Sequence, residues 1–277
     1  MSEWVKKIVG NRGALFFILG PCAIENEAHS LKTAEFLKTL SEKLKFKLIF
    51  KSSFDKANRT ALQSYRSVGL DEGLRILEKV KTTFDLPVIT DVHEVCQIEP
   101  VASVVDVLQI PAFLCRQTDL LIAAGKAGKP VNVKKGQFVT VEQMHHALEK
   151  VQSTGNDHVW LCERGISFGY NNLVVDYCNF PLMKACNVPV VFDVTHSVQR
   201  PGKMGNSTGG DRSLVPTLAA AAVVQGIAGM FLEVHEQPEK ALSDGPNSVR
   251  LSDLEKLLRY LIDLDQWAKE QEIPVIS

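Results

Sequence analysis

The sequence lacks two features that would suggest a secreted protein or a nucleic-acid-binding protein. Its six cysteines form no CxxC pair and no compact disulfide framework, so we expect a protein of the reducing cytoplasm. The formal net charge is only −1, which gives no indication of a nucleic-acid partner or of an anionic membrane surface. Any affinity for anions must therefore come from a local cluster of cations.

Long hydrophobic runs are also missing. The longest apolar stretch, Leu218–Leu232, is interrupted by Gln225 and two glycines and is shorter than the ~20 residues that span a bilayer. We expect this stretch to form a buried helix that runs into a strand. The N-terminal residues, MSEWVKKIVGNRG, contain no continuous apolar core of the kind found in signal peptides. These observations predict a cytoplasmic protein without a membrane partner.

Eight short apolar runs are spread along the chain, and each ends at or just before a charged, polar or metal-binding side chain. Runs with so little alternation of apolar and polar residues are typical of parallel strands that are buried on both faces. The eight runs are Ala14–Gly20, Phe46–Phe50, Leu86–Thr90, Val104–Ile110, Pro130–Val133, His158–Cys162, Val188–Phe192 and Ile227–Leu232.

Stretches of helical period separate these runs. Ser30–Lys45 and Asp71–Phe84 each place several leucines on one face, as amphipathic helices do. Two further segments begin with the residue spacing of a capping box. These segments run from Thr140, with Gln143 three residues on, to about Gln152, and from about Ser252, with Glu255 three residues on, to about Glu270.

This alternation predicts an α/β fold, a single (β/α)8 TIM barrel that occupies residues 1–277 as one domain. An open doubly wound sheet would give a similar pattern, and the count of eight strands favours the barrel. Residues 1–12 precede the first strand, and their apolar–polar alternation predicts a short hairpin that closes the barrel floor. Active sites of such barrels lie at the C-terminal ends of the strands, where this chain places its polar side chains.

Five cations are predicted to meet at that end of the barrel. Lys51, Lys56 and Arg59 lie in the run KSSFDKANR after the second strand, and Lys134 and Arg164 follow two later strands directly. An unpaired cation at such a position is costly unless an anion binds it. For KSSFDKANR alone a solvated loop is the alternative, but the five cations together favour an anionic substrate.

A second anion site is predicted at the glycine-rich turn Gly205–Arg212, which contains Thr208 and precedes a helix near Leu214. Free backbone N–H groups and the positive end of a helix dipole favour phosphate at such a turn. A surface loop is the alternative. The position after the seventh strand favours phosphate, because barrels of this class often bind phosphate there.

Four residues after strands one, seven and eight form a candidate metal site: Cys22, His196, Glu233 and Asp244. Their local spacing is not that of a metal finger, and a lone cysteine is more often a buried apolar residue. In a closed barrel, however, strand one adjoins strand eight and strand eight adjoins strand seven, so the loops after them converge. A thiolate, an imidazole and carboxylates together suit Zn²⁺, Fe²⁺, Mn²⁺ or a related divalent ion.

Eight motifs, spread over nearly the whole chain, carry a family resemblance. They are GPCAIE (20–25), KSSFDKANR (51–59), TDVH (90–93), QIPAF (109–113), NVKKGQF (132–138), CERG (162–165), DVTHSVQ (193–199) and ALSDG (241–245). Together they resemble the 3-deoxy-D-manno-octulosonate 8-phosphate synthases. KSSFDKANR is highly specific to that family, whereas GPC and ERG are shared with related synthases.

The resemblance implies condensation of phosphoenolpyruvate with D-arabinose 5-phosphate, with release of phosphate, on the route to a lipopolysaccharide precursor. It also implies a homotetramer. The residues implied to face phosphoenolpyruvate are Lys56, Gln109, Pro111, Ala112, Lys134, Arg164 and His196. Those implied to face the pentose phosphate are Lys51, Asn58, Arg59, Thr208 and Asp244, and we place Ser53 and Asp91 with the substrate-binding residues.

The family has a metal-dependent and a metal-independent branch, and metal-dependent members have a cysteine at the position of Cys22. The residues that follow Asp244, Gly245-Pro246-Asn247, resemble either branch equally well, so the prediction of a bound metal rests on Cys22. The candidates for proton donor and base are Lys56, His196 and Asp244. Lys134 is expected to stabilise negative charge on the reaction intermediate.

Three other functions compete with this one. A related synthase would join phosphoenolpyruvate to erythrose 4-phosphate or to an N-acetylmannosamine-type acceptor. A Schiff-base aldolase would use Lys51 or Lys134, both at strand ends. A non-catalytic sugar-phosphate-binding barrel would need the cations but not the converging thiol, imidazole and carboxylates.

Overall fold

The computed structural model describes residues 3–59, 61–170, 172–200, 209–271 and 276. Its centre is a closed barrel of parallel strands in the order in which they occur along the chain. The barrel strands are β1 (Phe16–Gly20), β2 (Leu48–Lys51), β3 (Val88–Asp91), β4 (Val107–Ile110), β5 (Val131–Lys134), β6 (Val159–Glu163), β7 (Val190–Asp193) and β8 (Gly229–His235). Parallel pairing of β1 with β8 closes the ring. The predicted (β/α)8 barrel is therefore confirmed.

One helix precedes the first strand, and the others follow the strands along the chain. They are α1 (Glu3–Lys6), α2 (Glu27–Leu44), α3 (Leu70–Phe84), α4 (Ile98–Val104), α5 (Thr118–Lys126), α6 (Val141–Gln152), α7 (Asn179–Lys184), α8 (Val194–Ser197), α9 (Val215–Val223) and α10 (Leu251–Glu270). Within the described part of the chain, none of these helices combines the length and the apolar character needed to cross a membrane.

Short helical turns and two-residue strands lie at the C-terminal end of the barrel. Single turns of 3-10 helix occupy Val95–Gln97, Ala112–Leu114, Arg212–Leu214 and Pro238–Lys240. Ile166–Ser167 pairs antiparallel with Leu173–Val174, and Gln199–Arg200 with Gly209–Gly210. The two-residue strand Val249–Arg250 adds to the outer end of β8. These pairs shape the loops that surround the strand ends.

Alternation along each strand divides the apolar residues between two cores. On β1, Phe17 and Leu19 pack outward in the large core between the strands and the helices. Phe16 and Ile18 belong to a smaller cluster inside the barrel, together with Trp160 of β6. The ring centroids of Phe16 and Trp160 are 5.2 Å apart. A Cβ at Gly229 would lie 2.4 Å from Cζ of Phe16, so only glycine leaves space for that ring.

The N-terminal residues close the barrel floor as predicted, but the predicted hairpin was wrong. Residues Glu3–Lys6 form the short helix α1, and Val5 is fully buried in the cluster inside the barrel. Trp4 and Ile8 also pack against this cluster. Trp4 lies in α1 and Ile8 lies just after it, where a turn closes with the Ile8 N–H donating to the Val5 oxygen at 3.3 Å.

The helix N-termini agree only in part with the capping predictions. At α6 the capping box is present, since Thr140 and Gln143 bond to each other's backbone N–H. At α10 the helix begins at Leu251 after Arg250, which makes no side-chain capping bond, so Ser252 already lies in the first turn. Glu255 instead pairs with Lys43 of α2 at 2.7 Å. The capping box predicted at Ser252 was therefore wrong, because a tertiary ion pair engages its acidic member.

Removing apolar volume from the floor should destabilise the whole barrel. Val5→Ala should lower the free energy of unfolding by about 2 kcal/mol, because it leaves a cavity in a closed cluster. Val9→Ala is the matched control, since Val9 is 70% exposed and should change stability by less than about 0.5 kcal/mol. Urea denaturation followed by circular dichroism measures both. Equal midpoints for the two variants would contradict a floor sealed by α1.

Candidate active site

The inward-facing positions change from apolar to polar toward the C-terminal ends of the strands. On β2 the buried Ile49 is followed two residues later by Lys51, and on β3 Ile89 is followed by Asp91. These side chains lie at the base of a cavity of about 1050 Å³. The five predicted cations all line this cavity: Lys51, Lys56, Arg59, Lys134 and Arg164. The predicted convergence of cations is thus a feature of the structure.

Lys51 is the centre of the network at the base of the cavity. Its Nζ donates to the backbone oxygen of Cys22 at 3.0 Å and lies 3.3 Å from Glu233 Oε1 and 3.9 Å from Asp91 Oδ2. Burial, together with the nearby Lys56, lowers the pKa of Lys51. Burial opposes ionisation of Asp91, but Lys51 and Lys56 outweigh it and hold the Asp91 pKa far below its usual value. The Asp91 carboxylate and the Lys51 and Lys56 ammonium groups therefore stabilise each other's charged forms.

Asp193 organises a second part of the site. It ends β7 and caps α8, where its Oδ1 accepts the backbone N–H of His196 at 3.0 Å. Its Oδ2 accepts a hydrogen bond from Lys134 Nζ at 2.5 Å and lies 2.7 Å from His196 Nδ1. Burial disfavours the ionised form of Asp193, but His196 and Lys134 outweigh it and lower the Asp193 pKa. One carboxylate thus fixes both a cation and an imidazole.

The candidate metal ligands come together as predicted. The ligand atoms of Cys22, Glu233 and Asp244 all lie within 4.8 Å of one another. His196 Nε2 lies 3.5 Å from Glu233 Oε1 and 3.8 Å from Asp244 Oδ2. Glu233 Oε2 is buried and has no hydrogen-bond partner among the described residues, which leaves one carboxylate oxygen available to a cation. A thiol, an imidazole and two carboxylates at these distances fit a divalent ion.

The protonation states of these ligands differ. Burial, Asp244 and Glu233 raise the pKa of the Cys22 thiol far above its usual value. Burial opposes ionisation of Glu233, but His196 and Lys51 outweigh it, and the Glu233 pKa falls to about 2. Without a cation the carboxylate is therefore charged and the thiol neutral. A bound divalent ion would stabilise the thiolate instead.

Two cations that line the cavity have donor groups without hydrogen-bond partners among the described residues. Arg164 is 4% exposed, and its Nη2 donates to Gln199 Oε1 at 2.9 Å. In the described ranges its Nη1 has no partner, and the same holds for Nε of Arg59. Lys56 Nζ has Glu233 Oε1 at 3.9 Å, too far for a direct hydrogen bond. Buried cationic donors without partners are suited to bind anionic groups of a ligand.

Comparison with known proteins places these features in a family. The sequence model described as the DAHP synthetase I family matches residues 2–270. The chain belongs to this family. A protein of Dichelobacter nodosus is 56% identical over 265 residues, which cover 96% of this chain and 96% of the relative. One of Desulfatibacillum aliphaticivorans is 57% identical over 254 residues, 92% of this chain and 93% of the relative.

A third relative, from Geobacter sulfurreducens, is 53% identical over 263 residues, which cover 95% of this chain and 96% of the relative. All three relatives carry the name 2-dehydro-3-deoxyphosphooctonate aldolase. The similarity therefore extends over at least 92% of this chain.

The remaining predicted site residues lie at different depths. Asn58, Pro111 and Ala112 line the cavity with the cations. Ser53 and Gln109 lie beneath it, where both donate hydrogen bonds to Asp91. Thr208 lies outside the described residues, as do residues 205–207 of the predicted turn. Of that turn, Gly210, Asp211 and Arg212 line the cavity.

Sequence analysis gave no role to two buried residues that support this site. Asn132 Nδ2 donates to Gln109 Oε1 at 2.9 Å, which continues the network below Asp91. Glu163 Oε1 accepts the backbone N–H of Arg164 at 3.0 Å and that of Gly165 at 2.6 Å. A polar residue inside the apolar strand VNVK was the signal for Asn132. For Glu163 the signal was its position directly after the sixth apolar run, but its role depends on the turn that follows.

The thiol of Cys22 should react slowly in the metal-free protein. Cys22 is 3% exposed, and its raised pKa leaves little thiolate at pH 8, whereas Cys96 and Cys178 are exposed. Timed alkylation with iodoacetamide, read by mass spectrometry of peptides, should label Cys96 and Cys178 well before Cys22. Labelling of Cys22 at the rate of Cys96 would contradict the buried, protonated thiol.

Proposed function

We propose that this chain condenses phosphoenolpyruvate with D-arabinose 5-phosphate to give 3-deoxy-D-manno-octulosonate 8-phosphate and phosphate. The main observation that supports this proposal is a single cavity, which holds five cations next to a thiol, an imidazole and two carboxylates. The relatives named 2-dehydro-3-deoxyphosphooctonate aldolase share more than half of their residues with this chain over nearly its whole length, which supports the same reaction.

The two substrates together carry two phosphates and one carboxylate, so the cavity needs several cations. Arg164 and Lys134 bind phosphoenolpyruvate, with Arg164 offering its free Nη1 and Lys134 a charge fixed by Asp193. Asn58 and Arg59, farther out in the KSSFDKANR loop, bind the phosphate of the pentose. Phosphoenolpyruvate therefore binds deeper in the cavity than the phosphate of the pentose.

The reaction forms a bond between C3 of phosphoenolpyruvate and the aldehyde carbon of the sugar. Water adds to C2, and the resulting hemiketal phosphate releases phosphate. Holding both substrates at about 3–3.5 Å and excluding bulk water supplies much of the acceleration. Lys56 and His196 lie near Glu233 at the base of the cavity and are our candidates for proton transfer to the aldehyde oxygen and from water.

Cys22, His196, Glu233 and Asp244 would hold a divalent ion such as Zn²⁺, Fe²⁺ or Mn²⁺. When bound, such an ion supplies Lewis-acid polarisation of an oxygen or orients a water molecule. The position of Glu233 is fixed, because this residue lies on β8 and is fully buried. Cys22 and Asp244 come from loops, so their placement depends on contacts between those loops.

Three expectations about the whole protein extend this proposal. The chain acts as one domain, works in the cytoplasm and assembles into a homo-oligomer, with a tetramer implied by the family resemblance. Large exposed apolar side chains near the C-terminal end of the barrel support assembly, among them Phe113, Phe168 and Tyr170.

The first prediction from this proposed function concerns the acceptor. With phosphoenolpyruvate, the protein should release phosphate at least 10-fold faster with D-arabinose 5-phosphate than with erythrose 4-phosphate or N-acetylmannosamine. The physical reason is that N-acetylmannosamine has no phosphate for Arg59 to bind, and erythrose 4-phosphate has one carbon fewer between its aldehyde and its phosphate. A coupled assay for inorganic phosphate measures the three rates under one set of conditions, and equal rates would overturn the proposed specificity.

Borohydride trapping separates the synthase from a Schiff-base aldolase. Burial lowers the pKa of Lys51, a condition that imine formation also requires, so this alternative has a specific residue to test. Treatment with borohydride in the presence of sugar phosphate should leave the mass of the protein unchanged. A stable adduct on Lys51 or Lys134 would support the aldolase instead.

The second prediction concerns the metal. Cys22→Asn should weaken Zn²⁺ binding at least 10-fold, because it removes the thiolate, and Cys96→Ser should leave binding unchanged because Cys96 is exposed. Competition with a chromophoric chelator measures both affinities. If Cys22→Asn still turns over after chelation, the ion has an organising role. If it loses all activity while its fold stays intact, the ion has a direct chemical role. Unchanged Zn²⁺ affinity would contradict Cys22 as a ligand.

A further inference from the structure

The side chain of Glu25 links the two loops that carry candidate metal ligands. Glu25 lies three residues after Cys22, in the loop that follows β1. Its Oε1 accepts the backbone N–H of Leu242 at 3.0 Å, and Leu242 lies two residues before Asp244. The contact thus ties the Cys22 loop to the Asp244 loop, although 217 positions separate Glu25 and Leu242 along the chain.

The same carboxylate also lies against the end of β8. His235 follows Glu233 by two residues and is 6% exposed, and its Nε2 lies 3.3 Å from Glu25 Oε1. Its Nδ1 accepts the backbone N–H of Gln237 at 2.9 Å, so a neutral ring carries its proton on Nε2, which contacts Glu25 Oε1 without hydrogen-bond geometry. The ring of His29, from α2, packs against it with centroids 4.7 Å apart.

A second cation site is the alternative for this cluster. Ligand atoms of Glu25, His29 and His235 lie within 4.8 Å of one another. Metal-bound histidines, however, donate the proton of their other ring nitrogen to an acceptor. Here Nδ1 of His235 faces the N–H of Gln237, so binding a metal through Nε2 would place two donors against each other. The tautomer favours a contact with Glu25 over a metal.

The loop that Glu25 holds is conformationally demanding. Asp244 has a φ of +51°, in the left-handed region that non-glycine residues rarely adopt. At Gly245 a Cβ would lie 2.2 Å from the backbone oxygen of Pro238, so the next position accepts only glycine. Backbone conformations of this kind persist only where surrounding contacts fix them. The Glu25–Leu242 hydrogen bond is such a contact, and it acts from outside the loop.

We propose that Glu25 is a positioning residue that holds Asp244 in register with Cys22 through Leu242 and His235. This role rests on the metal ligands assigned under the proposed function. Cys22 Sγ lies 3.1 Å from Asp244 Oδ2 and 3.0 Å from Ser243 Oγ, so movement of the loop would uncover the thiol and separate the ligands. Residues that orient metal ligands typically change metal affinity 10- to 100-fold when they are removed.

Glu25→Ala tests the proposal without turnover and without metal. In the metal-free protein, alkylation of Cys22 should become at least 5-fold faster, whereas the buried Cys115, outside this loop pair, should react at its original rate. Glu27→Ala is the matched control, since the side chain of Glu27 pairs with Arg75 and Lys79 of α3. Unchanged labelling of Cys22, or equal acceleration of Cys22 and Cys115, would overturn the proposal.

Zn²⁺ affinity provides the second readout. Glu25→Ala should bind Zn²⁺ 10- to 100-fold more weakly than the parent protein, and Glu27→Ala should bind equally well. Glu25→Gln can keep an acceptor oxygen at the Oε1 position for both Leu242 and His235 but removes the charge, so its loss should be smaller than that of Glu25→Ala, and it also serves if the alanine variant does not fold. Full Zn²⁺ affinity in both Glu25 variants would overturn the positioning role of Glu25. If Glu25→Ala speeds labelling of Cys22 but the parent protein shows no synthase turnover, the positioning role is supported and only the proposed reaction is overturned.

Discussion

Charge pairing at the C-terminal end of the barrel is the constraint on which the site depends. Lys51, Lys134, Asp193 and Glu233 are all buried, and an isolated ion at such a depth would be strongly disfavoured. Each cation therefore lies within 3.3 Å of a carboxylate oxygen. Removing one member of such a buried pair typically costs about 3–5 kcal/mol, because its partner then remains unpaired. The pairing fixes these side chains in place before any ligand binds.

The sequence predicted this site where the position of a residue follows from strand order alone. The eight apolar runs locate the strand ends, and closure of the ring brings Cys22 next to Glu233 by the β1–β8 register. Prediction failed where a contact between distant segments decides the outcome. The ion pair of Glu255 with Lys43 replaced a capping box, and the bond from Leu242 to Glu25 has no counterpart in local spacing.

The candidate metal ligands differ in how firmly the fold holds them. Glu233 belongs to a strand that is hydrogen-bonded on both sides, so its position follows from the barrel itself. His196 lies on the short helix that Asp193 caps at the end of the neighbouring strand. Asp244 lies in a loop and has a left-handed backbone conformation. A barrel can thus keep the strand-borne ligand fixed while contacts between loops determine whether the set is complete.

Binding of a cation and of an anion in this cavity would be coupled, because the two share interaction partners. Glu233 Oε1 lies 3.3 Å from Lys51 Nζ, 3.9 Å from Lys56 Nζ and 3.5 Å from His196 Nε2. A divalent ion bound to Glu233 would neutralise the charge that these groups now share, and the two lysines would then favour an anionic ligand more strongly. By linkage, an anion that neutralises the lysines strengthens binding of the cation by the same factor. The network of buried charges would therefore favour simultaneous occupation of both sites over occupation of either one alone.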